Sequence, residues 1–215
     1  MITTSTKNDT TTLINGPAGQ LEVAVAAPIS ESRSAIGIIC HPHPLFGGTM
    51  DNKVVTTLTK TFQYLGLHAV RFNFRGVGRS AGQFDQGNGE LEDLLAVIDW
   101  MQQQHPSREI WLAGFSFGAY VAAKAATQLP INKLVTIAPA VQHFPMQNLP
   151  PILCPWVLVQ GEKDDVVPPQ EVFAWAETRE PKPIILRFPE AGHFFHGQLG
   201  ELRTRLEEVL GFPEA

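Results

Sequence analysis

The chain has 215 residues, 44% hydrophobic and 17% charged, with a net charge of −5. That length suits one α/β core burying roughly 70% of the unfolded surface and leaves no room for a second domain. The acidic balance, with no cluster of lysine or arginine, argues against nucleic acid as a partner.

The first seventeen residues are rich in Thr, Ser and Asn and lack the charged start and apolar centre of a secretion signal. No apolar run approaches the length of a membrane span, so the expected setting is cytoplasmic, with no membrane partner. Residues 1–10 read as a flexible polar tail and 11–215 as a single domain. After the turn Asn15-Gly16-Pro17, the alternation of Val23, Val25 and Ala27 with Glu22, Ala24 and Ala26 predicts an antiparallel pair of strands near 11–15 and 21–27. Short apolar runs follow at 35–40, 68–74, 109–113, 133–138, 156–160 and 183–188, separated by helical or loop segments. This rhythm predicts an α/β fold, a mostly parallel sheet of about eight strands with helices on both faces.

The helices have distinct characters. Leu91, Leu94, Leu95, Ile98 and Met101 fall at helical spacing, as do Leu199, Leu202, Leu206 and Leu210, so each set can cover one face of a sheet. Residues 119–129 are small and apolar nearly all round, as a buried helix requires. Pro168 and Pro169 suit the start of a helix through residues 171–178. Cys40 and Cys154 are too few for a disulfide framework and adjoin apolar runs, where they read as reduced packing residues.

The chemistry centres on Gly114-Phe115-Ser116-Phe117-Gly118, which follows an apolar run and opens the alanine-rich helix. A strand turning abruptly into a helix strains its elbow residue and needs small neighbours, which Gly114 and Gly118 supply. Ser116 is thereby a candidate nucleophile, with the helix N-terminus aimed at any oxyanion formed there.

With this elbow, the loop Gly161-Glu162-Lys163-Asp164-Asp165-Val166-Val167-Pro168 and the later Ala191-Gly192-His193 resemble the α/β-hydrolase superfamily, in its order of nucleophile, acid and base. His41-Pro42-His43-Pro44, Gly47-Gly48 and 73–80 (Asn-Phe-Arg-Gly-Val-Gly-Arg-Ser) add similarity to the small lidless bacterial hydrolases related to dienelactone hydrolases and serine aminopeptidases. The resemblance covers the chain after residue 10. Dienelactone hydrolases carry cysteine at the elbow, and serine here argues against that activity.

The resemblance implies an α/β-hydrolase fold without a cap domain and the site residues Ser116, Asp164 and His193. His196, one helical turn on, is the rival base, and Asp165 the rival acid. The implied oxyanion donors are the backbone N–H of Phe117 and one from the 41–44 loop. Between residues 42 and 44 only His43 has an N–H, because proline has none. In that loop proline replaces the family's glycine.

His41 and His43, with Asp51 nearby, are too few for a metal site, and Arg75-Gly76-Val77-Gly78 lacks the third glycine of a dinucleotide fingerprint. Its arginines read instead as surface pairs to nearby carboxylates. No cofactor or metal is expected. The expected activity is a serine hydrolase cleaving an ester, thioester or related acyl bond of a small molecule. The alternatives are a peptidase or aminopeptidase using the same triad, and a binding module without turnover on the same fold.

Overall fold

The computed structural model describes residues 9–106 and 108–211. The strands are β1 (Asp9–Gly16), β2 (Gly19–Ala26), β3 (Ala35–Cys40), β4 (His68–Phe72), β5 (Glu109–Phe115), β6 (Lys133–Ile137), β7 (Trp156–Gly161) and β8 (Ile184–Phe188). The helices are α1 (Lys53–Tyr64), α2 (Gly89–Gln104), α3 (Phe117–Ala126), α4 (Pro169–Glu177) and α5 (Leu199–Gly211). The eight strands form one sheet in the order β1-β2-β4-β3-β5-β6-β7-β8. β1/β2 and β2/β4 pair antiparallel and the remaining neighbours parallel.

Strand alternation divides the core in two. Ile36, Ile38 and Cys40 of β3 face one way, toward residues of α2, α3 and α4 such as Leu94, Val121 and Val172. Ala35 and Ile39 face the other way, toward Leu58 and Phe62 of α1 and Leu202, Leu206 and Leu210 of α5. The two leucine-patterned helices therefore cover opposite faces, as a parallel sheet buried on both sides requires. Gly37 is needed on the α1 face: a Cβ there would lie 2.1 Å from the Phe62 ring.

The structure departs from or adds to expectation at three points. β1 begins at Asp9, paired with Ala26, so Asp9 and Thr10 belong to the sheet rather than to a tail. The Arg71 guanidinium also reaches Asp9 at 2.6 Å, which anchors that strand start. The rest of the expected tail, residues 1–8, lies outside the described residues. The second is α1, a helix that the sequence pattern does not single out. Its threonines have poor helix propensity, but Val54, Val55, Leu58 and Phe62 are buried, and burial overrides propensity. Third, Arg75 is no surface pair. Its side chain forks onto Asp93, itself fully buried, with contacts of 2.9–3.1 Å, and the Arg75 backbone N–H donates to the same carboxylate.

Between β6 and β7 the chain forms only a loop with one short 3₁₀ turn, Met146–Asn148, so no cap domain is inserted there. The loops after β3, β5, β7 and β8 are left open at the carboxyl edge of the sheet, where α/β folds bind ligands.

Candidate active site

Ser116 sits between β5 and α3 in the left-handed region, with φ 56° and ψ −114°. A side-chain-bearing residue pays strain to be there, and such outliers concentrate where chemistry needs them. Two backbone bonds hold the elbow, Ser116 N–H to the Ile137 carbonyl at 2.8 Å and Ala119 N–H to the Ser116 carbonyl at 3.0 Å. The flanking glycines are sterically required. A Cβ on Gly114 would lie 2.1 Å from the Gly118 carbonyl oxygen, and one on Gly118 would lie 2.3 Å from the Cys40 carbonyl oxygen. Gly118 thus lets α3 press against the end of β3, which brings the 41–44 loop beside the helix N-terminus.

The loops after β7 and β8 are joined by backbone bonds from Glu162 to Phe188 (2.8 Å) and from Lys163 to Ala191 (3.0 Å). Within this seam the His193 Nδ1–H donates to Asp164 Oδ2 at 2.8 Å, both side chains being almost fully buried. Asp164 Oδ1 accepts the N–H groups of Val166 (2.9 Å) and Val167 (2.8 Å), and Oδ2 accepts a further bond from Gln160 Nε2 at 3.1 Å. Burial pushes the Asp164 carboxyl upward, but the bonds from His193, Val167 and Val166 outweigh it and hold its pKa below the ordinary value. An ionised Asp164 can only accept, so the Nδ1 of His193 carries the proton of this bond. Asp165 and His196 are both exposed, so of each rival pair only Asp164 and His193 meet.

The His193 ring lies 4.9 Å from that of Phe115, the residue before Ser116. Among the described residues the Ser116 hydroxyl forms no hydrogen bond.

On the other side, neither the Phe117 nor the His43 backbone N–H has an acceptor among the described residues. Their rings are 5.2 Å apart. His43 does more than offer its amide, since its Nδ1 accepts the Leu45 N–H at 3.2 Å and caps the 3₁₀ turn Pro44–Phe46.

The structure gives supporting roles to two further residues. His41 is fully buried; its Nε2 accepts the Phe74 N–H at 3.0 Å and its Nδ1–H donates to the Pro42 carbonyl at 2.6 Å. Both nitrogens are thereby committed, and Asp51 pairs with Arg71. Burial pushes the His41 pKa down to about 4 against the opposing effect of the Pro42 bond. Because a trans peptide holds its C=O and N–H in opposite directions, fixing the Pro42 carbonyl also fixes the His43 N–H. Gly48 closes the same peptide from another side, for a Cβ there would lie 2.0 Å from the Pro42 oxygen. The second contributor is Gln160, whose only sequence signal is a glutamine at the end of an otherwise apolar strand.

The family model for serine aminopeptidase, S33, matches residues 45–156, just over half of the chain. The chain belongs to the α/β-hydrolase superfamily. An α/β serine hydrolase homologue from Coxiella burnetii is 47% identical and superposes with a TM-score of 0.92 over 96% of this chain and 100% of its own. XC6422 from Xanthomonas campestris, a member of the α/β serine hydrolases without lid, is 41% identical with a TM-score of 0.91 over 98% of each chain. Among curated relatives, the uncharacterized protein RP471 of Rickettsia prowazekii is 39% identical over 74% of this chain and 68% of its own. A lysophosphatidylserine lipase, ABHD12 of Macaca fascicularis, is 25% identical over 78% of this chain, which spans 54% of that protein. XC6422 is without lid, and between β6 and β7 this α/β hydrolase likewise inserts no cap domain.

Proposed function

We propose that the protein is a cofactor-independent serine hydrolase that cleaves an ester, thioester or related acyl bond through Ser116, His193 and Asp164. The observation that carries this reading is the buried 2.8 Å hydrogen bond from His193 to Asp164, formed in a seam beside the strained elbow of Ser116.

In the proposed reaction His193 Nε2 takes the Ser116 hydroxyl proton as Oγ bonds to the acyl carbon. The carbonyl oxygen becomes an oxyanion facing the N–H groups of Phe117 and His43. Collapse breaks the bond to the leaving group, which receives the proton from His193. Water then gives its proton to His193 and attacks the acyl-enzyme; the acid departs as the proton returns to Ser116. The net change is addition of one water across the acyl bond. Asp164 stays ionised throughout and stabilises the transient imidazolium.

Ester cleavage is favoured over aminopeptide cleavage because the cavity beside the oxyanion loop is lined by no Asp or Glu that could hold a substrate ammonium group. The uncapped site supports short, water-soluble acyl groups over long-chain lipids, since no inserted segment encloses a long chain. A cytoplasmic setting belongs to the same proposal, supported by the unbridged thiols of Cys40 and Cys154; among the described residues no helix is long and apolar enough to cross a membrane.

A panel of short acyl esters, thioesters and aminoacyl amides tests the reading against wild type and Ser116→Ala. Turnover of an ester or thioester that vanishes in the folded variant is expected. Turnover that survives the substitution would remove Ser116 from the reaction.

A further inference from the structure

Once the leaving group is placed, the acyl half of the substrate has a direction. The leaving group must lie against His193, which protonates it. Around His193 stand Phe115, Phe194 and Asp164, and none of these lines the cavity beside the oxyanion loop. The two substituents of a carbonyl carbon diverge, so that cavity receives the acyl side.

The cavity has a volume of about 410 Å³, within the range of small-molecule sites. The rings of His43, Phe84, Tyr120 and Phe144 line it, together with His143 and Pro145. Tyr120 and Phe144 stack at 5.1 Å and 17°, and His43 lies 4.6 Å from Phe84. Behind them the Phe117 ring touches three of the four, at 4.9 Å from Phe144, 5.2 Å from His43 and 5.6 Å from Phe84. The residues that offer the oxyanion donors therefore also build the cavity. Tyr120 follows Ser116 by four residues, one turn or about 6 Å along the helix.

The lip is polar and held in place. Gln86 has a left-handed backbone, φ 53°, which a glutamine adopts only under constraint. The constraint comes from the fully buried Glu90 carboxylate, which accepts the N–H groups of Asp85 (2.8 Å) and Gly87 (2.7 Å). A Cβ on Gly87 would lie 2.5 Å from the Tyr120 ring, so the turn sits directly on that wall. Lys124 donates to Asn88 Oδ1 at 2.8 Å and leaves the Asn88 NH₂ without an acceptor among the described residues. Flat aromatic walls under a polar lip, in which Lys124 holds the Asn88 amide, match a planar ring bearing a hydrogen-bonding substituent. A saturated chain would forgo the ring contacts and cover the Gln86 and Asn88 amides without bonding them.

We propose that this cavity is the acyl subsite and takes an aromatic acyl group, an arylacetyl or arylpropanoyl unit with a polar ring substituent. The proposal rests on Ser116 as the nucleophile. Methyl 3-(4-hydroxyphenyl)propanoate and methyl hexanoate share a leaving group and differ only in the acyl part. Wild type is expected to favour the aryl ester about tenfold in kcat/KM, the worth of one or two aromatic contacts. Phe84→Ala and Phe144→Ala should each bring the ratio toward one; both rings are half-exposed, and labelling of Ser116 by a small fluorophosphonate reports that each variant is folded. Labelling with a ratio near one in wild type, or a ratio indifferent to both substitutions, overturns the aromatic subsite and leaves the nucleophile standing. Neither labelling nor turnover of either ester overturns the nucleophile, and the subsite with it.

Discussion

The two sides of Ser116 are built by different means. On the acid–base side, side chains meet directly: Asp164 and His193 are bonded at 2.8 Å in a seam zipped by backbone bonds. On the oxyanion side the proposed working groups are backbone amides, and side chains act only by orienting the peptide that carries them. His41 holds the Pro42 carbonyl and thereby the His43 N–H. The difference predicts how each side fails. Removing a side chain on the first side deletes a chemical step, whereas on the second it loosens an orientation.

The largest effects belong to the acid–base side. Ser116→Ala and His193→Ala should each lower ester turnover by roughly 10⁴–10⁶, and the double variant should lose little more, because the groups act as a unit. Multiplying losses would separate them. Asp164→Asn should cost on the order of 10⁴ through the wrong imidazole tautomer, and Asp165→Asn, at an exposed position, about twofold or less. Stability carries a matching sign. The lowered Asp164 pKa means its carboxylate stabilises the fold above the ordinary carboxylate range, and that contribution is lost as pH falls through the lower folded value.

The oxyanion side should respond to a backbone change more than to loss of a ring. His43 has φ −53° and ψ 121°, a backbone that proline adopts. His43→Pro deletes the N–H and should cost roughly 10²–10³ in turnover. His43→Ala removes the same ring, keeps the N–H and should cost only a few-fold. Both variants lose the ring, so their ratio isolates the amide, and equal kinetics would eliminate that donor.

His41 adds an effect on stability as well as on turnover. Its folded pKa of about 4 lies below the unfolded value, so the unfolded chain binds the extra proton and stability is lost as pH falls from 6.5 toward 4. The loss is about 3 kcal/mol over that interval. His41→Gln, which does not titrate, should flatten this part of the stability curve measured by denaturant titration and lower turnover about tenfold. Parallel curves for variant and wild type would show that His41 does not hold its proton off.

The same contrast governs what the sequence makes legible. Ser116 stands out because its strand-to-helix context demands Gly114 and Gly118, and the order of nucleophile, acid and base points to loops 161–168 and 191–193. The resemblance already ranks Asp164 above Asp165, and the fold supplies the physical reason, since of the adjacent carboxylates the β7–β8 seam buries only Asp164. The parallel sheet is readable from its apolar runs. α1 is not, because its threonines mask an apolar face that becomes clear only when Phe62 is seen over Gly37. His41 and Gln160 are hidden for a related reason. His41 lies in the 41–44 loop but acts through bonds to the backbone of Pro42 and Phe74, and Gln160 acts on Asp164 four residues on with no motif to mark it.

The account stands on Ser116 being the nucleophile, and covalent labelling reads that most directly. After treatment with a small fluorophosphonate, peptide mass analysis should find one adduct per chain, on Ser116, absent from Ser116→Ala and strongly slowed in His193→Ala. An adduct on another residue, or a folded protein that takes none, would contradict it.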